Sequence, residues 1–172
     1  MGARKRPTPE DRAEATRLAL SGIAAGDDPF VLARRLEALH PKHDTFPGEV
    51  LLDLAADALE VSGASRADPV AYEGIRERHL PEVEFRTKAQ HHKSHYALHA
   101  VAMIRAGIDP ALLEEVVWWR TDDLWVWALY ALIVYMRVAA ERTGESVGAI
   151  CQHLADRQGI ALGAPSRRRP RA

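Results

Sequence analysis

Four of the chain's eight histidines, His91, His92, His95 and His99, fall within "HHKSHYALH". On a helix turning about 100° per residue, all four lie within roughly one quadrant, with Glu84 and Lys88 in the same sector. Phe85, Ala89, Tyr96, Ala100, Met103 and Ile104 gather beside them, so the histidines flank an apolar face without lining its centre. Pairs four apart, His91/His95 and His95/His99, can aim imidazole nitrogens at one metal ion. The stripe holds no carboxylate ligand of its own, and the H-E-x-x-H pattern of zinc hydrolases is missing. A metal site would therefore need donors from elsewhere, for which His40, His43 and Asp44 in "HPKHD" are the candidates. Without a metal, the stripe is either a solvated face or a groove wall that gains charge as pH falls through about 6.5. A phosphate-facing surface using the histidines with Lys88 and Lys93 is a further alternative.

Two other places carry reactive side chains. Cys151 is the sole cysteine, and His153 stands two residues later. A lone cysteine on a helix reads as a small buried hydrophobe, since a nucleophile would need a base and an orienting partner that the sequence does not identify. In "WWRTDDLW", residues 118–125, Thr121 suits a helix N-cap, and Asp122 and Asp123 complement the positive end of the helix dipole.

That stretch resembles the HEAT-like alkylpurine DNA glycosylases, helical-repeat enzymes with a Trp-Trp-x-Ser/Thr-x-Asp segment. The resemblance covers six residues. It implies that Trp119 packs against a damaged nucleotide and that Asp123 stabilises positive charge on the deoxyribose as the glycosidic bond breaks. Arg120 departs from that family, which is acidic at this position.

The elements that must position these residues are helical throughout. No stretch alternates with period two, so the chain is expected to be all-α with about eight helices. Thr8-Pro9, Asp28-Pro29, Asp68-Pro69 and Asp109-Pro110 each place a capping side chain before a proline suited to the first helical position. Gly63, Gly107, Gly144 and Gly159 supply the stops. The three Asp-Pro starts lie 40 and 41 residues apart. Each opens a short helix (29–40, 69–79, 110–119) followed by a longer one (47–62, 82–106, 122–143), with helices near 9–25 and 147–158 closing the two ends.

A period near 40 with two helices per unit resembles HEAT and armadillo repeats, which implies stacked helical hairpins. The alternative is a compact helical bundle whose similar helix lengths imitate a repeat. In either case "LWVWALYALIVYM" is apolar around its circumference and needs neighbours on every face. Any part left uncovered would mark a partner or self-association surface.

Charge narrows the function classes. The chain has 23 basic and 24 acidic residues, but Arg4, Lys5, Arg6, Arg167, Arg168, Arg169 and Arg171 lie at its ends. Without those seven, 16 basic face 24 acidic residues, which argues against nucleic-acid binding by the body and leaves it open to the basic ends. Residues 1–7 read as a disordered basic arm, 8–159 as one all-α domain, and 160–172 as a disordered basic tail. The longest uncharged run, Leu124–Met136, is 13 residues. That is too short for a bilayer span of about 20. With one cysteine and no secretory leader, a cytoplasmic location is expected.

These features together point to a non-enzymatic helical binding module for a protein partner or a second copy, with no cofactor and no membrane association. His92, His95, His99, Lys88 and Trp119 are its candidate contact surface. The alternatives are a glycosylase-like protein using Asp123 and Trp119, and a metal-dependent hydrolase using His91, His95 and His99 with His40, His43 and Asp44.

Overall fold

The computed structural model describes residues 8–39, 46–63 and 124–163. They form five helices and no strand: α1 (Pro9–Ala24), α2 (Pro29–Leu39), α3 (Phe46–Val61), α4 (Leu124–Thr143) and α5 (Val147–Arg157). The described chain is all-α. The expected helices over 69–79, 82–106 and 110–119 lie outside the described residues.

Capping chemistry sets the helix starts. Thr8 Oγ1 accepts from the Asp11 N–H at 3.2 Å while Asp11 Oδ2 accepts from the Thr8 N–H at 2.7 Å, a reciprocal capping box ahead of Pro9. Asp28 Oδ1 accepts from the Val31 N–H at 3.1 Å, and Ser146 Oγ from the Ala149 N–H at 3.1 Å. Each satisfies a donor that the first helical turn leaves open. Gly63, Gly144 and Gly159 stop their helices with positive φ, as expected, and Gly26 does the same for α1. At Gly159 the turn is a Schellman motif: the Ile160 N–H reaches the Ala155 carbonyl at 2.9 Å, and Ile160 is thereby folded back into the core. Packing continues through Leu162.

The core is a single cluster drawn from all five helices. Its centre is α4, which packs most extensively on α3 and also touches α2 and α5. Ten of its described side chains between Ala128 and Ala139 are buried, among them Leu129, Leu132, Tyr135 and Met136. At 100° per residue they cover about 260° of the circumference. Arg137 and Glu141 occupy the remaining sector and are exposed. Both follow the apolar run; within Leu124–Met136 every described side chain is buried. Each fully buried Leu, Ile or Met contributes about 1.5–3 kcal/mol through burial.

Helices α1 and α5, expected at opposite ends of a stack, instead pack against each other. Each has one apolar stripe, Ala15, Ala19, Leu20 and Ile23 on α1 and Ile150, Cys151, Leu154 and Ala155 on α5. Burying both stripes in one cluster removes more surface from water than leaving each at an open end. Gly22 lets α1 meet α2 closely, since a Cβ there would sit 2.6 Å from Leu32 Cδ1.

Candidate functional site

The described residues with the most chemistry lie along α3. Glu49, Asp53, Asp57 and Glu60 fall within about 80° of the helix circumference, while Val50, Leu51, Leu54, Ala55 and Ala58 on other faces are buried. The packing of α3 into the core thus brings its carboxylates into one outward row. Cations from both ends of the chain meet that row. Arg12 on α1 donates from Nη2 to Asp53 Oδ2 at 2.8 Å and sits 3.9 Å from Glu49. At the other end, Arg157 Nη2 lies 3.2 Å from Glu60 Oε2, and Gln158 Nε2 donates to Asp57 Oδ2 at 3.5 Å.

Asp57 is the perturbed member of the row. Partial burial against α5 disfavours its charged form and raises its pKa; Arg157 and the Gln158 hydrogen bond oppose this, and Glu60 adds to it. A carboxyl tuned upward is a recurring feature of acid–base sites, but ion-pair networks perturb pKa values in the same way. Here the partners are the ends of neighbouring helices, so the row works as a clasp joining α1, α3 and α5. Among the described residues, no group of three His, Cys, Asp or Glu side chains is placed to hold a metal ion.

Cys151 is fully buried, and desolvation pushes its thiol up to about 12. His153 is exposed on another face of α5. The two do not form a nucleophile–base pair, and Cys151 behaves as the small core residue the sequence suggests.

The residues singled out from sequence lie elsewhere. His40, His43, Asp44, Lys88, His91, His92, His95, His99, Trp119 and Asp123 are all outside the described residues, as are Trp118 and Thr121. Sequence reasoning missed the α3 row. Its spacing of four, four and three was legible, but the arginines that meet it come from 41 and 97 positions away and carry no local signal. Comparison of the chain with protein-family models, with curated proteins and with solved structures finds no match in any of the three.

Proposed function

We propose that this chain is a non-enzymatic helical binding module of the cytoplasm, built as a compact bundle of about eight helices and recruiting a protein partner or a second copy of itself. The observation that carries the reading is the use made of the described reactive side chains. Arg12, Asp53, Arg157 and Glu60 join helices, and Cys151 fills the core. These groups serve a scaffold. The contact surface falls to His92, His95, His99, Lys88 and Trp119.

Direct packing of α3 on α4 supports the bundle over a linear solenoid. In a solenoid each repeat touches its neighbours only, and these two helices belong to the first and third 40-residue units. The contact of α1 with α5 supports the same choice.

Light scattering on protein freed of any affinity tag, with mass spectrometry of co-purifying chains, tests the function. A dimer, or one specific partner at constant stoichiometry, is expected. A lone monomer overturns the reading. So does base release from alkylated DNA that Asp123→Asn abolishes, or near-stoichiometric zinc, iron or manganese that His95→Ala/His99→Ala depletes.

A further inference from the structure

Helices α4 and α5 are separated by Gly144, Glu145 and Ser146, and the apolar stripes on either side of that break are in phase. With Leu132 as zero at about 100° per residue, Met136 falls near 40°, Ala139 near −20°, Val147 near 60°, Ile150 near 0° and Leu154 near 40°. All are buried except Val147, which is partly so. On the far side, Glu141, Glu145, Gln152 and Asp156 fall between about 180° and 240°, and all four are exposed. Two separate helices have no need to agree in phase, whereas one continuous amphipathic helix must. Thr143 enters the apolar sector with a hydroxyl, but that hydroxyl already donates to the Ala139 carbonyl at 2.8 Å, one turn back.

The break itself rests on little. The Gly144 N–H still makes the helical bond to the Ala140 carbonyl at 2.9 Å. What turns the chain is a φ of 74° at Gly144, followed by an extended Ser146 whose side chain caps α5. Every residue from Glu141 to Ser146 is exposed, and a Cβ on Gly144 would meet no atom within 4 Å. The turn thus stands clear of the described core, and its dihedrals can change without repacking it. Helix α5, in contrast, is deeply docked, with Ile150, Cys151, Leu154 and Ala155 fully buried where it meets α1, α3 and α4. A straightened hinge carries α5 away from its own body, and the exposed stripe must be covered again. The surface shaped for it is the site it vacated, and a second copy offers an identical one.

We propose that α5 exchanges between two copies of the chain: Gly144 to Ser146 become helical, α4 runs on into α5, and each α5 fills the other copy's site. The exchange re-forms the contacts of the closed monomer, which makes it a low-cost route to a dimer. Arg157 with Glu60, Gln158 with Asp57, and Arg17 with the Ala161 carbonyl then join two chains instead of closing one. Straightening also pairs backbone groups that two helix ends leave open, and a hinge this short favours exchange. The proposal rests on the self-association side of the function proposed above and places that contact on α5.

Size-exclusion chromatography with light scattering, over a concentration series of the full tag-free chain, tests it. The dimer fraction should rise with concentration. Gly144→Ala penalises the positive φ of the closed hinge; at about tenfold for each of two hinges, the dimerisation constant should rise about a hundredfold. Inserting Gly-Gly-Ser after Gly144 relaxes the hinge and should lower the constant by about tenfold. To locate α5, Glu60→Cys and Arg157→Cys are combined with Cys151→Ala and treated with a short bis-maleimide. The monomer peak should yield a one-chain product and the dimer peak a two-chain product. A dimer linked only within its chains overturns the proposal but leaves self-association standing through another surface. A folded Gly144→Ala no more dimeric than the wild type overturns it as well. Monomers throughout overturn it together with self-association, and leave the binding-module reading to a protein partner. The cross-link needs no change at the hinge, so it decides the matter even where Gly144→Ala fails to fold.

Discussion

Arg12 and Asp53 stand 41 positions apart in the chain and meet at 2.8 Å, tying the first turn of α1 to the middle of α3. Both side chains are more than a third exposed, at 43% and 34%. Solvent screening therefore keeps the pair's worth near 0.2–1 kcal/mol. Arg12→Ala and Asp53→Ala should each lower stability by about that much in urea unfolding. The coupling in a double-mutant cycle should shrink at about 1 M salt. A coupling of several kcal/mol, unchanged by salt, would show that the pair is more than a surface clasp.

Asp57 makes a pH prediction of definite sign. Its folded pKa is raised, so the stability it contributes is present below the unfolded carboxyl value and is lost as pH rises through the folded one. Asp57→Asn should accordingly raise the urea midpoint at neutral pH. The gain should narrow as pH drops into the ordinary carboxyl range, where the wild-type group is protonated in both states. Gln158 can still donate to the asparagine oxygen, so the hydrogen bond is kept. A loss of stability at neutral pH would show that the Arg157 attraction outweighs burial.

Cys151 should be inert in the folded protein. With its thiol pushed up to about 12 from an ordinary 9.0, almost no thiolate exists at pH 8, and iodoacetamide labelling should proceed at the rate of unfolding. The same shift means that stability falls as pH climbs from about 9 toward 12, since the folded state holds a proton that the unfolded chain releases. Cys151→Ala should flatten that alkaline decline. Rapid labelling without denaturant would contradict the burial.

Two glycines should fail for different reasons. Gly22→Ala gains up to about 1 kcal/mol of helix propensity. Against this, its Cβ would lie 2.6 and 2.9 Å from the two Cδ atoms of Leu32, which is fully buried and cannot swing into water. Overpacking costs about 1–3 kcal/mol, so a net loss near 1 kcal/mol is expected, and Leu32→Ala in the same chain should show strong non-additivity. Gly144→Ala meets no atom within 4 Å but must hold φ at 74°, which costs roughly 1–2 kcal/mol with no such coupling. Thermal melts of Gly22→Ala, Leu32→Ala, their combination and Gly144→Ala separate the mechanisms.

Much of the local structure was legible in the residues themselves. The starts at Thr8-Pro9 and Asp28-Pro29 and the stops at Gly63, Gly144 and Gly159 are chemistry between residues at most five apart, and such signals survive whatever the rest of the chain does. The burial of "ALIVYM" followed from its apolar composition alone. Which helices lie side by side was a different matter. An apolar stripe calls for cover without naming what covers it, so α1 against α5, and α3 against α4, were settled only when every stripe had to be buried in one cluster at once. The same holds for the α3 carboxylates. Their shared face was written in a spacing of four, four and three, but the cations opposite them arrive from α1 and α5 because tertiary packing, and no local rule, brings those helix ends alongside.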